Sequence, residues 1–127
     1  MFNYESVIDT IRHIELESEA IWVIMGAALV MHGVKCECAD IDLGASRDFA
    51  ESLQRAGYER QRTASGLVKV AICPDVSLYG GWPQGDLVHL AGIRVASLSS
   101  VRSDKLRLGR PKDMADVVLI DDHLAGQ

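Results

Sequence analysis

The sequence contains few residues of the types that mark secreted or nucleic-acid-binding proteins. Its 127 residues include only three cysteines and three prolines. Because an odd, sparse set of cysteines makes a poor disulfide framework, we expect Cys36, Cys38 and Cys73 to be free thiols in a cytoplasmic protein. The net charge is −5. This balance disfavours nucleic acid as a nonspecific partner, since such binding depends on clustered Lys and Arg.

Long apolar runs are also missing. The longest, residues 20–34, contains His32 and is too short to span a bilayer comfortably. Residues 1–5 lack the basic stretch and apolar run that begin a secretory signal, so we expect no membrane partner. With 48% hydrophobic and 24% charged residues, the composition is that of a globular protein, and we expect a single domain over residues 1–127.

Hydrophobic spacing predicts an order of short strands and helices. Helical spacing of apolar residues begins at Tyr4, and Pro111 stands at a position that favours the start of a helix. The predicted helices are residues 4–15, 27–32, 46–56, 97–108 and 111–124. The predicted strands are residues 21–24, 39–43, 58–63, 67–73, 86–90 and 93–95, and the Gly- and Pro-rich residues 74–85 are predicted to form a loop. This order favours an α/β (α+β) fold with a small mixed β-sheet flanked by helices.

Asp40 and Asp42 are the strongest candidates for chemistry. Residues 39–43 alternate polar and apolar side chains, so a strand here would place both carboxylates on one face. Two such carboxylates can bind a hard cation such as Mg²⁺, which normally recruits phosphate oxygens as further ligands. Gly26, fourteen residues before Asp40, lies in a strand-to-helix turn that can expose backbone N–H groups to phosphate. The alternative is that both aspartates only solvate an exposed strand face.

These segments together resemble the nucleotidyltransferase superfamily. In this superfamily the active site is formed by a strand, a Gly-Gly or Gly-Ser turn, a helix and an Asp-x-Asp strand. The segments of this sequence that match them are Trp22–Leu29, His32-Gly33 and Asp40–Leu43. Later segments are similar to the branch that includes abortive-infection and toxin–antitoxin nucleotidyltransferases, namely Leu53–Tyr58, Lys105-Leu106 and Arg110–Asp116. Small aminoglycoside and lincosamide nucleotidyltransferases share the early layout. The matches cover residues 20–120.

The resemblance implies a metal-dependent transfer of a nucleoside monophosphate from a nucleoside triphosphate to a hydroxyl group of a protein or small molecule. It implies that Asp40 and Asp42 bind Mg²⁺ or Mn²⁺ and that the turn holds the triphosphate. The implied nucleotide-binding residues are Gly26, Ala27, Lys105, Arg110 and Lys112. For the lysines and Arg110 a purely structural or solvated role, such as anchoring the last helix together with Asp113 and Asp116, stays open.

Three positions depart from the family pattern. Met25 stands where a first glycine is usual, and Ala27 stands where a hydroxyl residue is common. The segment Leu67–Ile72, expected to carry a third acid, has Lys69 instead. Asp75 is then the nearest acid that could substitute as a catalytic group, with Asp86 more distant. These departures favour a second hypothesis, a catalytically degraded protein that acts as a binding or regulatory partner.

A zinc site formed by His32, Cys36 and Cys38 is disfavoured. The spacing His-x3-Cys-x-Cys matches no common zinc pattern, and a structural site would need a fourth ligand. No feature around the three thiols indicates a cysteine nucleophile either.

Overall fold

A computed structural model describes residues 1–63 and 65–127, in which helices alternate with short strands. The helices are α1 (Tyr4–His13), α2 (Met25–Met31), α3 (Arg47–Arg55), α4 (Leu98–Leu108) and α5 (Pro111–Ala125). The strands are β1 (Phe2–Asn3), β2 (Ile21–Ile24), β3 (Glu37–Cys38), β4 (Ile41–Ala45), β5 (Glu59–Gln61), β6 (Val68–Cys73), β7 (Val76–Gly80), β8 (Leu87–Leu90) and β9 (Ile93–Ala96). No helix in the described ranges combines the length and apolarity needed to cross a bilayer.

Seven of the described strands form one mixed sheet in the order β5–β6–β7–β4–β2–β9–β8. Strand β4 lies between β7, which runs parallel to it, and β2, which runs antiparallel. The predicted α/β class with a mixed sheet is therefore confirmed. The hairpin of β5 and β6 and the two C-terminal helices also form as predicted. The antiparallel pair of β1 and β3 was not predicted.

Strand β7 corrects the sequence interpretation. Residues 74–85 were predicted to form a loop because they are rich in Gly and Pro, but residues 76–80 form a strand. Val76 and Leu78 are buried, and Ser77 and Tyr79 alternate with them. Burial of these apolar side chains between β4 and β6 outweighs the local preference for a turn, because the preference for a strand depends strongly on its surroundings.

The main core lies on one face of the sheet, against α2 and α3. Ile41, Leu43 and Ala45 of β4 all point into it and are fully buried. Alternation along the strand places Asp42 and Gly44 on the opposite face. There the indole of Trp22 covers Gly44, because a Cβ at this glycine would lie 2.5 Å from indole atoms. The indole thus covers this face of the sheet at Gly44, and Asp42 lies beside the covered area on the same face.

Gly80 marks the closest approach between the sheet and α3. A Cβ at Gly80 would overlap the Cβ of Ala50 and crowd the carbonyl oxygen of Ser46. We expect Gly80→Ala to lower the free energy of unfolding by about 1–3 kcal/mol, the usual cost of extra atoms in a packed interior. As a control, a Cβ at Gly26 would meet the Cβ of Cys38 at an ordinary 3.6 Å. Equal losses for Gly80→Ala and Gly26→Ala in urea unfolding would contradict this packing argument.

Candidate active site

Asp40 and Asp42 lie together at the start of β4. Asp42 is the second residue of the strand and half-buried, and Asp40 immediately precedes the strand and is exposed. The strand starts at Ile41, two residues later than the predicted residue 39. Both side chains nevertheless line the same cleft, on the sheet face opposite the main core.

The cleft is open and has a volume of about 650 Å³. Its walls come from β4, β6 and β7, the loop after β7 and the ends of α4 and α5. Its charged lining residues are Asp40, Asp42, Lys69, Arg107, Arg110 and Lys112. Its aromatic lining residues are Tyr79 and Trp82. Four basic and two acidic side chains give the described lining a positive formal charge, which suits a polyanion that brings its own cation.

The two aspartates repel each other. Burial, and then the negative charge of Asp40, raises the pKa of Asp42, while Lys69, Lys105 and Lys112 oppose the rise. Desolvation and a neighbouring like charge both disfavour the ionised carboxylate. A divalent cation between the two groups would remove this repulsion.

This shift predicts how stability without metal depends on pH. Between its unfolded pKa, near 3.8, and its higher folded pKa, Asp42 binds more protons in the native state than in the unfolded state. Its contribution to stability therefore falls as the pH rises through this window. We expect Asp42→Asn to melt at a higher temperature than wild type in EDTA at neutral pH, with the difference vanishing in strong acid. A lower melting temperature for the variant throughout would contradict this.

None of the three cysteines lines the cleft, and Cys38 is buried whereas Cys36 and Cys73 are exposed. Cys36, Cys38 and Cys73 are all free, which confirms the prediction. Burial raises the pKa of Cys38 to about 11, with a smaller opposing effect of Lys35 and further increases from Asp42 and Asp40. Cys38 therefore stays protonated at neutral pH, and its thiol is a poor nucleophile.

The strand beside the aspartates carries no acid in the cleft. Ser77 of β7 is the register partner of Asp42, and Tyr79, two residues on, also lines the cleft. The sequence analysis looked for a third acid on Leu67–Ile72, but β6 is one strand further away and Lys69 pairs with Tyr79. Within residues 1–63 and 65–127, no three His, Cys, Asp or Glu side chains group as metal ligands.

Asp75 and Asp86 lie outside the cleft lining. Asp75 is exposed in the turn between β6 and β7, with a left-handed φ of 63°. Its carbonyl oxygen accepts a hydrogen bond from the backbone N–H of Ile41 at 2.8 Å. Asp86 is exposed before β8, and its carbonyl oxygen accepts from the backbone N–H of Ser97. The catalytic role of Asp75 therefore stays a prediction, and its position gives it no added support.

The turn between β2 and α2 has a backbone conformation that is typical of glycine, but the residue that adopts it is Met25. Met25 has a φ of 54°, in the left-handed region that favours Gly. Its side chain is buried and lines the cleft. Gly26 and Ala27 follow in α2 but do not line the cleft, and Ala27 is 1% exposed. Any contact of Ala27 with a ligand would have to be made by its backbone.

A buried ion cluster joins α4 to α5 beneath the cleft. Lys105 Nζ lies 2.8 Å from Asp116 Oδ2 and 3.3 Å from Asp113 Oδ1. Arg110 donates two hydrogen bonds to Asp113, at 2.6 and 3.1 Å. Burial opposes ionisation of Asp113, but these hydrogen bonds and the charge of Lys105 outweigh it and lower its pKa. Because Lys105 does not line the cleft, whereas Arg110 and Lys112 do, the geometry favours an anchoring role for Lys105, Asp113 and Asp116.

A third buried carboxylate, Asp104, contacts the aromatic side of the cleft. Asp104 Oδ2 accepts a hydrogen bond from Trp82 Nε1 at 3.1 Å, and its Oδ1 lies 2.7 Å from Arg107 Nη1. Arg107 Cζ is 5.2 Å from the centre of the Trp82 ring, and Tyr79 packs edge-on against Trp82 at 5.8 Å between ring centroids. Asp104 and Arg107 could not be found from the sequence, because the contact between Trp82 and Asp104 joins residues that are 22 positions apart.

Comparisons with known proteins identify the fold. No family model and no curated protein matches the sequence. The chain is similar in structure to ANT(2″)-Ia, solved in complex with adenylyl-2″-tobramycin, with a TM-score of 0.57 and 18% identity over 94% of this chain and 86% of that one. It is also similar to a candidate nucleotidyltransferase from Thermotoga maritima, with a TM-score of 0.55 and 16% identity over 97% and 91% of the two chains. The chain therefore has the nucleotidyltransferase fold, as the sequence resemblance implied.

Proposed function

We propose that this chain, built on the nucleotidyltransferase fold, binds a nucleoside triphosphate with Mg²⁺ or Mn²⁺ and transfers the nucleoside monophosphate to a hydroxyl group, releasing pyrophosphate. The observation that carries the proposal is the pairing of Asp40 and Asp42 with basic side chains across one cleft. A metal on the carboxylates and a triphosphate along the basic wall would use both sets of charges.

The residues present fit one divalent cation. Asp40 and Asp42 supply two carboxylates, and Ser77 adds a hydroxyl from the adjacent strand position. Mg²⁺ takes oxygen ligands and usually completes its shell with water and substrate phosphate, so it does not need a closed protein cage. When bound, the ion would neutralise negative charge that develops on the transferred phosphoryl group.

Arg110 and Lys112 are the proposed triphosphate contacts. Both line the cleft at the start of α5, and the positive charge of Lys112 opposes the rise in the pKa of Asp42. Lys105 contributes indirectly, by holding α5 in place through Asp113 and Asp116. Gly26 and Ala27 do not line the cleft, so a contact of their backbone N–H groups with phosphate stays a prediction from the sequence.

The acceptor is proposed to be a small molecule or a protein. ANT(2″)-Ia in complex with adenylyl-2″-tobramycin supports transfer of a nucleotide group to a small molecule on this fold. The described lining of this cleft holds no acid besides Asp40 and Asp42. Once a metal occupies these two carboxylates, no lining carboxylate is left to bind a polycationic acceptor.

A second candidate function is binding without transfer. Ser77 and Tyr79 occupy the positions beside Asp42 from which a neighbouring strand could present a base, and neither is a carboxylate. A protein of this kind would bind a metal–nucleotide complex and act through a partner. Tyr79 does not replace the acid, because burial and the charge of Asp42 raise the pKa of its phenol.

The direct test is to incubate the protein with ATP, GTP, CTP or UTP, with and without Mg²⁺, and to measure heat of binding and pyrophosphate release. Candidate acceptors are the protein itself and a panel of hydroxyl compounds. We expect metal-dependent binding and release with at least one nucleotide. Binding without release for every nucleotide and acceptor would favour the second candidate, and no binding would contradict both.

A further inference from the structure

Asp104 is a buried carboxylate with no place in the metal chemistry. It is 5% exposed and lies in α4, next to Lys105 in sequence but outside the ion cluster of Asp113 and Asp116. Both of its oxygens are used, one by Trp82 and one by Arg107. These two partners line the cleft. A buried charge is costly unless it is paired, and here the pairing fixes two cleft residues relative to each other.

The charge of Arg107 is compensated from two sides. Asp104 pairs with one of its nitrogens at 2.7 Å, and the π face of Trp82 lies beneath its Cζ at 5.2 Å. The side chain is still 45% exposed. The guanidinium has a second flat face besides the one over Trp82, and such surfaces stack well on planar rings.

Two of the basic residues that line the cleft, Lys69 and Lys112, differ from Arg107. Neither Lys69 nor Lys112 forms an ion pair in the described part of the chain, and both line the cleft together with Asp40 and Asp42. Tyr79 stands between the two regions, because it contacts Trp82 on one side and Lys69 on the other. The cleft thus has a charged end and a planar end, as a nucleoside triphosphate does.

We propose that Arg107, held over Trp82 by Asp104, forms the surface on which the base of the bound nucleotide stacks. Pro83 and the 40% exposed Leu108 extend the same end of the cleft with apolar surface. Asp104 is then a positioning residue, since it acts through Arg107. This inference rests on the proposed nucleotide binding and adds to it the site of the base.

The test compares two ligands on the intact chain in Mg²⁺, α,β-methylene-ATP and inorganic tripolyphosphate. Arg107→Lys keeps a positive charge for Asp104 but removes the flat guanidinium. We expect this variant to bind α,β-methylene-ATP about tenfold more weakly and tripolyphosphate within about twofold of wild type, because only the first ligand has a base to stack. Asp104→Asn should show the same pattern in a smaller degree. Arg102→Ala is the matched control, an arginine of the same helix that pairs with Asp121 and does not line the cleft.

Equal weakening of both ligands in Arg107→Lys would make Arg107 a phosphate contact and overturn the proposal, as would no change in either. Adenosine without metal separates this proposal from the proposed function. In the Trp22→Phe variant, Trp82 is the single remaining tryptophan. We expect adenosine to quench the fluorescence of Trp82 in this variant, but not when Arg107→Lys is added to it. Quenching without pyrophosphate release would leave the stacking surface standing and contradict transfer, whereas no difference between the two proteins would overturn the stacking surface.

Discussion

Asp113→Ala is expected to lower the free energy of unfolding by about 3 kcal/mol, the lower end of the range for breaking a buried ion pair. Asp113 is fully buried and binds both Lys105 and Arg110. Its loss leaves the buried Lys105 ammonium with Asp116 as a remaining carboxylate partner, so the effect stays below that of a fully unpaired charge. The start of α5 also loses the hydrogen bond from the Arg110 backbone N–H to Asp113.

Urea unfolding at neutral pH measures this effect, with Asp121→Ala as the control. Asp121 belongs to the exposed pair with Arg102, and exposed pairs add little to stability. Because the folded pKa of Asp113 is lowered, its contribution is present above the unfolded pKa and is lost as the pH falls below about 4. The difference between wild type and Asp113→Ala should therefore shrink in acid. Equal effects of Asp113→Ala and Asp121→Ala would contradict the anchoring role.

Asp42→Asn is expected to reduce pyrophosphate release by about 100-fold, which corresponds to ~2.7 kcal/mol of barrier. The amide keeps the size of the side chain but removes the charge that holds a divalent cation. The variant should remain folded, and without metal it should be at least as stable as wild type, because the pKa of Asp42 is raised in the native protein. A loss of activity together with a retained melting transition therefore reports on the site and not on folding.

The same assay decides the role of the acids outside the cleft. Asp75→Asn and Asp86→Asn should each change the rate by less than about tenfold if the cleft alone supplies the catalytic groups. A larger loss in either variant would show that a loop carboxylate reaches the site and would support the sequence-based role of Asp75. An Asp42→Asn rate within about tenfold of wild type would contradict the assignment of the aspartate pair.

Much of the fold could be predicted because its signals are local. The run Ile21–Ile24 is short, apolar and β-branched, and it forms β2. Gly109 takes a left-handed φ of 63° at the end of α4, and Pro111 begins α5. Each of these features depends on a few neighbouring residues, which is the information that a single sequence carries most directly.

Strand β7 could not be predicted from the same signals, because its neighbours in sequence favour turns. Pro74, Gly81 and Pro83 surround it, and it is held as a strand by antiparallel pairing with β6 and by parallel pairing with β4, more than thirty positions earlier. A weaker signal was present, since Val76, Ser77, Leu78 and Tyr79 alternate apolar and polar side chains. Period-two alternation over four residues predicts a half-buried strand even between turn-forming residues.

The candidate site likewise contains some residues that could be predicted from the sequence and others that could not. Asp40 and Asp42 could be found from their own alternation, and both line the cleft. The residues that surround them could not, because Ser77 meets Asp42 through strand pairing and Asp104 meets Trp82 through the packing of α4. The sequence shows that β6 carries no acid, but the strand beside β4 is β7, whose residues in the cleft are Ser77 and Tyr79.

If Asp40 and Asp42 hold the metal, nucleotide binding depends on a divalent cation. Calorimetric titration of the intact protein with α,β-methylene-ATP tests it most directly, in Mg²⁺ and in EDTA, for wild type and for the Asp40→Asn, Asp42→Asn double variant. We predict binding by wild type in Mg²⁺, and at least about tenfold weaker binding either in EDTA or when both carboxylates are replaced. Equal affinity under all of these conditions, or no binding by wild type in Mg²⁺, would contradict the account.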